Sequence, residues 1–448
     1  MGRLFGTDGI RGVAGSELTC TLATKVGRAL VKVLCSSNDT KILIGMDTRE
    51  SSDELALAIA EGVKQVGGEA MIIGVCSTPA VAYLVKKHSF DAGVMISASH
   101  NPYQYNGIKI FGGDGFKLSD ALEDQIEALL DNEYEEKIGG SISGFSLAKE
   151  EYLNYLKDSF GVSLSGLKVG IDCANGSATA TAEQLFLALG AECHIISNSP
   201  DGKNINEACG STHLEKLKAL VVDEGLDLGI AFDGDADRCL AIDEKGNEID
   251  GDYIMAILSL WMREHGCLNE DTVVGTVMSN LGFVKFCEEY GLKFIATKVG
   301  DRYVLELMNE KGYSFGGEQS GHLIIRDKAT TGDGQLTAVA LLSRVKESGK
   351  SLSALASVMK KYPQYMVNIH ADSDDKAAFN TDATIIALIK EAEETLKGNG
   401  RLVIRPSGTE PLIRIMAEGE SVQSIKTLCD GLATEIGKRL AELKATVG

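Results

Sequence analysis

Six prolines in 448 residues is a low count, and it speaks against a chain of disordered or Pro-rich linkers. Positive charge is short as well. Forty-four Lys and Arg stand against 64 Asp and Glu, for a net charge of −20. That balance excludes nucleic acid and anionic membrane surfaces as expected partners, since both are bound through basic surface. Any phosphate bound by so acidic a chain must be held locally, by a few Arg, Lys and backbone N–H groups. No apolar signal-type segment follows Met1, and the mostly apolar stretch Tyr253–Met262 is far short of the ~20 residues that span a bilayer. The ten cysteines contain no C-x-x-C pair, so neither a zinc ribbon nor a thioredoxin motif is present. Scattered thiols of this kind read as reduced core residues, and the expected compartment is the cytoplasm.

What is abundant is glycine, 50 residues where ~7% would be usual. With 44% hydrophobic and 24% charged residues, the composition suits a globular enzyme with many tight strand–helix turns. Its length calls for roughly three or four domains.

One coarse pattern is written three times. A β-branched or apolar strand ends in a polar turn, a helix follows, a glycine opens a second strand, and another helix leads to a third. The first strands are expected at Lys41–Met46, Lys168–Ile171 and Thr272–Val277, and the helices after them at Ser52–Val66, Thr179–Leu189 and Gly282–Tyr290, with apolar residues at 3–4 spacing. Each helix ends at a glycine. The third strands run into Ser97-Ala98-Ser99-His100, Asp233-Gly234-Asp235-Ala236-Asp237 and Gly317-Glu318-Gln319-Ser320-Gly321-His322. In sheets that are mainly parallel, ligands bind beyond the carboxyl ends of strands. Three unusual motifs at one topological position imply one shared cleft.

The last ~80 residues differ. They are expected to form a strand (Tyr365–Ala371), a helix (Thr381–Leu396), two strands (Arg401–Ile404, Leu412–Met416) and a long helix (Val422–Leu443). The fold class is thus three similar mixed or parallel α/β domains, 1–147, 148–250 and 251–367, and a smaller α+β domain, 368–448.

Three carboxylates at i, i+2 and i+4 converge on one ion only if the backbone curls around it, and an all-oxygen site suits a hard cation such as Mg²⁺. An EF-hand is disfavoured. Arg238 stands where that loop needs glycine, and Leu228–Phe232 is strand-like. Ser99 lies between an apolar run and a Pro102 turn, where a strand end exposes a hydroxyl. A serine facing a carboxylate-held metal points to phosphoryl transfer through a phosphoserine. Lys109 is a solvated lysine or a general acid/base, the latter needing a lowered pKa. Arg11 sits in a Gly-rich segment that is either a plain turn or a close approach to ligand. Arg405 and Arg414, with Ser407, Gly408 and Thr409, have the makings of a phosphate nest. Glu318 and Ser320 have the polarity to bind sugar hydroxyls or an amine, and His322 is an acid/base or a shaping residue. Gly316–Gly321 is no P-loop, because His322 replaces the lysine.

With these segments in view, the chain resembles the α-D-phosphohexomutase superfamily over its whole length. The likeness is carried by Phe5–Gly12, Ile96–Pro102, Asp233–Arg238, Gly317–His322 and Arg405–Pro411. Gly6-Thr7-Asp8-Gly9 and Gln319 bring it nearest to the bacterial branch acting on glucosamine phosphate. The resemblance implies four domains around one cleft, Ser99 as phosphoserine, and Mg²⁺ on Asp233, Asp235, Asp237 and a Ser99 phosphoryl oxygen. It assigns acid/base and transition-state roles to Arg11, Lys109 and His322, sugar selection to Glu318 and Ser320, and a further cleft loop to Arg302. Arg405, Ser407, Gly408, Thr409 and Arg414 would bind the distal phosphate.

The implied reaction interconverts glucosamine 6-phosphate and glucosamine 1-phosphate through a sugar bisphosphate (glucosamine or glucose 1,6-bisphosphate). It would feed UDP-N-acetylglucosamine and cell-wall synthesis. Activation by a kinase or by self-phosphorylation, and a homodimer, are further expectations. Phosphomannomutase/phosphoglucomutase activity is the alternative within the superfamily. A metal-dependent phosphohydrolase and a non-enzymatic Ca²⁺ or sugar-phosphate binder are the alternatives outside it.

Overall fold

The computed structural model describes residues 4–6, 8–34, 40–135, 137–407 and 411–447. The chain forms two compact units, Met1–Met278 with Leu292–Val358, and Ser279–Gly291 with Met359–Gly448.

The first unit contains three sheets built to one plan. Each has a core of three parallel strands in the spatial order third, first, second, and the first sheet adds Ser141–Gly144 parallel to its second strand. The three core strands are Ala92–Ile96, Lys41–Met46 and Glu69–Val75 in the first sheet. Leu228–Phe232, Lys168–Asp172 and Glu192–Ile196 form the second, and Phe315–Gly317, Thr272–Thr276 and Lys293–Thr297 the third. Ala92–Ile96, Leu228–Phe232 and Thr272–Thr276 are buried along their whole length, so both faces are covered, which is why they read as unbroken apolar runs.

A fourth strand then returns antiparallel beside the third: Tyr105–Gly112, Cys239–Asp243 and Leu323–Ile325 respectively. The three motifs occupy the connections between these antiparallel pairs. Their equivalence therefore comes from hairpin-like returns rather than from strand–helix turns. The first sheet also gains Ile10–Val13, paired antiparallel with Tyr105–Gly112 so that Arg11 lies opposite Gly107. The N-terminal Gly-rich segment is thus partly strand.

Local signals explain how neighbouring elements reach the site. The helix Thr78–His88 starts with Ser77 accepting from the Ala80 N–H and Pro79 in its first turn, both ordinary helix-start features. That start places Thr78 against the second sheet's loop. The expected helix over 179–189 is shorter, with a 3₁₀ turn Ser177–Ala180 ahead of the helix Ala182–Ala188.

The second unit is an antiparallel sheet in the order Gln364–His370, Leu412–Gly419, Gly400–Pro406. Its core is built on Ile413, Ile415, Ile425 and Ile436. The expected helix over 381–396 is present as Ala383–Leu396, capped by the Asp382 side chain, and a further helix, Ser373–Thr381, precedes it. The helix Leu281–Glu289 belongs to this unit, where Glu418 accepts from Asn280 Nδ2 and the Leu281 N–H. Among the described residues, no helix is long and apolar enough to cross a membrane.

Candidate active site

Ser99 has a backbone φ of +53°, a left-handed conformation that non-glycine residues adopt at a cost and that clusters at functional sites. It is buried, and its Oγ donates to Asp233 Oδ2 at 2.5 Å. The Ser99 N–H donates to Ser97 Oγ, which in turn donates to the buried Asp47. His100 Nδ1 lies 3.3 Å from Ser99 Oγ. Burial, then the cationic Arg238 and Arg11, push the His100 imidazole down to about 4, so it stands neutral beside the serine.

Asp233, Asp235 and Asp237 are buried, and one oxygen from each lies within 4.8 Å of the others. Ala236, at φ +56°, supplies the curl that the spacing requires. Thr78 Oγ1 and Lys109 Nζ donate to Asp235 Oδ2 at 2.5 and 2.7 Å, whereas Asp235 Oδ1 is buried without a hydrogen-bond partner. Burial, then Asp237 and Asp235, raise the Asp233 carboxyl well above the usual range. Three crowded carboxylates with an unused oxygen are what a hard divalent cation relieves, so the residues present fit Mg²⁺.

Lys109 is buried. Burial lowers its proton affinity, but Asp235, Asp8 and Asp237 outweigh that and hold it well above the usual lysine range. A lysine base needs a lowered pKa, whereas these carboxylates act the other way and favour the charged form.

Six groups form a closed loop of alternating charge. Lys109 meets Asp8 at 3.1 Å, Asp8 meets Lys117 at 2.5 Å, and Lys117 meets Asp301 at 2.5 Å. Asp301 lies 3.5 Å from His322 Nε2, His322 Nδ1 lies 3.5 Å from Asp237, and Asp237 returns to Lys109 at 3.4 Å. Arg11 pairs with Asp8 at the rim. The Gly332 N–H donates to His322 Nε2 at 3.1 Å, which puts the proton of the neutral ring on Nδ1, facing Asp237. Burial disfavours a second proton there, but Asp237 and Asp301 prevail and raise the imidazole's pKa.

Glu318 and Ser320 lie in the tight return between Phe315–Gly317 and Leu323–Ile325. Glu318 Oε1 accepts from the Gly300 N–H at 3.0 Å, and Ser320 Oγ is buried with no hydrogen-bond partner. Gln319 turns to Asp250 instead, at 3.2 Å. Arg302 is engaged by Asp120 and by Glu123, the latter at 2.8 Å. In the second unit Arg405 and Arg414 stand directly opposite across paired strands. Burial and then Arg414 lower the proton affinity of Arg405. The Ser407 N–H closes onto the Leu412 carbonyl; Gly408 and Thr409 lie outside the described residues.

Ser99, Arg11, Lys109, His322, the three aspartates, Glu318 and Ser320 thus all fall within the first unit, beyond one end of its sheets. Asp8, Lys117, Asp301 and Arg49 were not singled out from the sequence. Asp8 stood in the Gly-rich segment already noted, Arg49 follows the expected strand Lys41–Met46, and nothing local marks Lys117.

A buried left-handed serine facing a three-carboxylate cation site at the ends of repeated α/β sheets is the arrangement of a phosphoryl-transfer class, and comparison with known sequences agrees. Family models for phosphoglucomutase/phosphomannomutase match alpha/beta/alpha domains I, II and III over residues 2–137, 150–246 and 250–362, and the C-terminal domain over 343–435. The chain belongs to that family. It is 52% identical to the phosphoglucosamine mutase of Clostridium acetobutylicum over 447 residues, covering 98% of this chain and 100% of that one. Its identity to the phosphoglucosamine mutase of Caldicellulosiruptor bescii is also 52%, over 450 residues, with coverage of 98% and 100%. Among solved structures, a phosphoglucomutase/phosphomannomutase family protein from Burkholderia thailandensis shares the fold, with a TM-score of 0.81 and 22% identity over 97% of this chain and 98% of that one. An Aspergillus fumigatus N-acetylphosphoglucosamine mutase, solved with GlcNAc-6P and magnesium, shares it at a TM-score of 0.68 and 16% identity over 97% and 95%.

Proposed function

We propose that the chain is a phosphohexomutase interconverting glucosamine 6-phosphate and glucosamine 1-phosphate. The observation that carries this is Ser99 Oγ, set by a left-handed residue against a buried triple-aspartate pocket, in a chain about half identical to phosphoglucosamine mutases along its length. In the proposed cycle the phosphoryl group on Ser99 Oγ passes to the sugar's free hydroxyl, which loses its proton. The bisphosphate turns over, and its other phosphoryl group returns to Ser99. P–O bonds are exchanged and no water is consumed.

The residues divide the work. Asp233, Asp235 and Asp237 would hold Mg²⁺, which when bound offsets charge on the transferred phosphoryl group. Lys109 and Arg11 supply positive charge toward the same region. His322 is the group suited to carry the proton. Glu318 and Ser320 read the sugar, and Arg405, Ser407, Gly408, Thr409 and Arg414 take the phosphate that stays in place. Arg302 shapes the cleft through Glu123. First phosphorylation of Ser99 by a kinase or by the bisphosphate, cytoplasmic action on the route to UDP-N-acetylglucosamine, and a homodimer belong to the same reading.

Turnover of glucosamine, glucose and mannose phosphates, compared as kcat/KM, tests it. The glucosamine pair should lead. A preference for mannose or glucose phosphates would move the chain to the phosphomannomutase/phosphoglucomutase reading, and net phosphate release would make it a hydrolase.

A further inference from the structure

A left-handed serine needs something to hold it. Arg49 is buried, and its guanidinium is used up entirely within the protein. Nη1 donates to the Pro102 and Tyr105 carbonyls at 2.5 and 3.0 Å, and Nη2 to the Ser99 and Asn101 carbonyls, both at 2.9 Å. Nε donates to Asp47 at 2.8 Å, so the charge is paired where water is excluded. One planar group thereby ties four carbonyls of a seven-residue loop, which suits a fork of fixed geometry and not a lysine.

A second donor reaches the same loop from the second sheet's side. Asn206 Nδ2 lies 2.9 Å from the Ser99 carbonyl and 3.1 Å from that of Asn101. Each of these two carbonyls therefore receives one donor from Arg49 and one from Asn206. Asn206 is itself left-handed, at φ +60°, a conformation asparagine tolerates well. The metal loop forms the third wall, because a Cβ at Gly234 would stand 2.4 Å from the Ser99 carbonyl oxygen and 3.0 Å from Asn206 Nδ2.

We propose that Arg49 and Asn206 are positioning residues that together lock the Ser99 peptide in its left-handed conformation, aiming Oγ at the aspartate pocket. The proposal rests on the reading of Ser99 as the phosphorylated residue. Arg49 fixes the loop within its own sheet's domain. Asn206 registers it against the domain that carries the three aspartates, so the serine and the cation site are aligned through two shared carbonyls. Both residues are buried and spend their donors on the loop and on Asp47, apart from the groups read as binding the sugar. Their loss should act on the rate of phosphoryl transfer and leave binding of the sugar phosphate alone.

The decisive variant is Asn206→Asp, which keeps size and left-handed tolerance but faces two carbonyls with an acceptor. Arg49→Lys, which cannot span four carbonyls, is the companion. Steady-state kinetics on the purified full chain should show kcat at least tenfold lower for each, with KM for the sugar phosphate within threefold of wild type. Titration calorimetry with MgCl₂ should show little change in metal affinity. If Asn206→Asp keeps kcat within twofold of wild type, the proposal is overturned. It is equally overturned if kcat falls only in proportion to the folded fraction measured by circular dichroism. The reading of Ser99 is checked separately by the intact mass of the active wild type. A phosphate on Ser99 with an unaffected Asn206→Asp rejects the clamp alone, whereas active wild type without that phosphate rejects the reading beneath it.

Discussion

Replacing Gly234 with alanine adds one methyl group where the chain has no room for it. The new Cβ would sit 2.4 Å from the Ser99 carbonyl oxygen, 2.9 Å from Ile205 Cδ1 and 3.0 Å from Asn206 Nδ2. Ile205 is a side-chain tip and can yield. The carbonyl is held by two donors and must move with its loop or push the aspartate loop back. Restoring ordinary van der Waals separation needs a shift of about 1 Å in one of them. Overpacking of this size costs about 1–3 kcal/mol of stability, which a domain of this size survives. The same displacement at a reacting group costs about a hundredfold in rate, because it changes the distance between Ser99 Oγ and Asp233, now 2.5 Å. Gly234→Ala should therefore lower kcat by about two orders of magnitude, move the urea midpoint modestly, and leave KM nearly unchanged. The assay is glucosamine 6-phosphate turnover beside a urea titration. Full activity in a stably folded Gly234→Ala would refute the claim that alignment of these two loops limits the reaction.

Four further outcomes are expected. Ser99→Ala should fold normally, carry no phosphate by intact mass and lose turnover by orders of magnitude, whereas a fully active variant would remove the serine from the mechanism. Stripping metal with EDTA should abolish activity and MgCl₂ restore it, and Asp235→Asn should weaken Mg²⁺ binding in calorimetry; activity indifferent to EDTA would show that the aspartates hold no essential ion. Glu318→Gln should damage turnover of glucosamine 6-phosphate more than that of glucose 6-phosphate, by roughly tenfold, because a carboxylate strengthens its hydrogen bond to an ammonium; equal losses would reject Glu318 as the amine reader. Burial pushes the Asp333 carboxyl up to about 6, against hydrogen bonds from Leu336 and Tyr152, so the folded state binds that proton more tightly than the unfolded state does. Relative to Asp333→Asn, wild type should lose up to about 3 kcal/mol of stability as pH rises from about 4 to about 6 and no more above that; parallel urea midpoints across the window would contradict it.

Much of this architecture is legible in the sequence because period and punctuation carry it. Buried strands such as Leu228–Phe232 are unbroken apolar runs, and helix ends coincide with glycines, so the three repeated units stand out. The motifs were legible for a similar reason, since Asp233, Asp235 and Asp237 are close in sequence and chemically unusual. What stayed hidden joins residues far apart in the chain. Lys117 meets Asp301 across 184 positions and Asn206 meets Ser99 across 107, and no local spacing encodes such pairs. The protonation state of Lys109 was hidden too, because it depends on three carboxylates contributed by two other segments. The helix Ser373–Thr381 is a smaller miss of the opposite kind. Its capping box, Asp372 with Asp375, lay in plain sight just ahead of the expected helix.

The left-handed backbone at Ser99 also bears on which residue could ever occupy that place. Threonine carries the same hydroxyl and forms the same kind of phosphate ester, so chemistry alone would accept either. A β-branched side chain at φ +53° is a genuine steric outlier, however, because its second substituent crowds the flanking peptide groups. Relaxing it toward ordinary angles would turn the carbonyl away from Arg49 and Asn206 and swing the hydroxyl off the aspartates. The alcohol at this position is thus chosen by backbone shape, which closes an otherwise easy single-substitution route from a phosphoserine to a phosphothreonine enzyme.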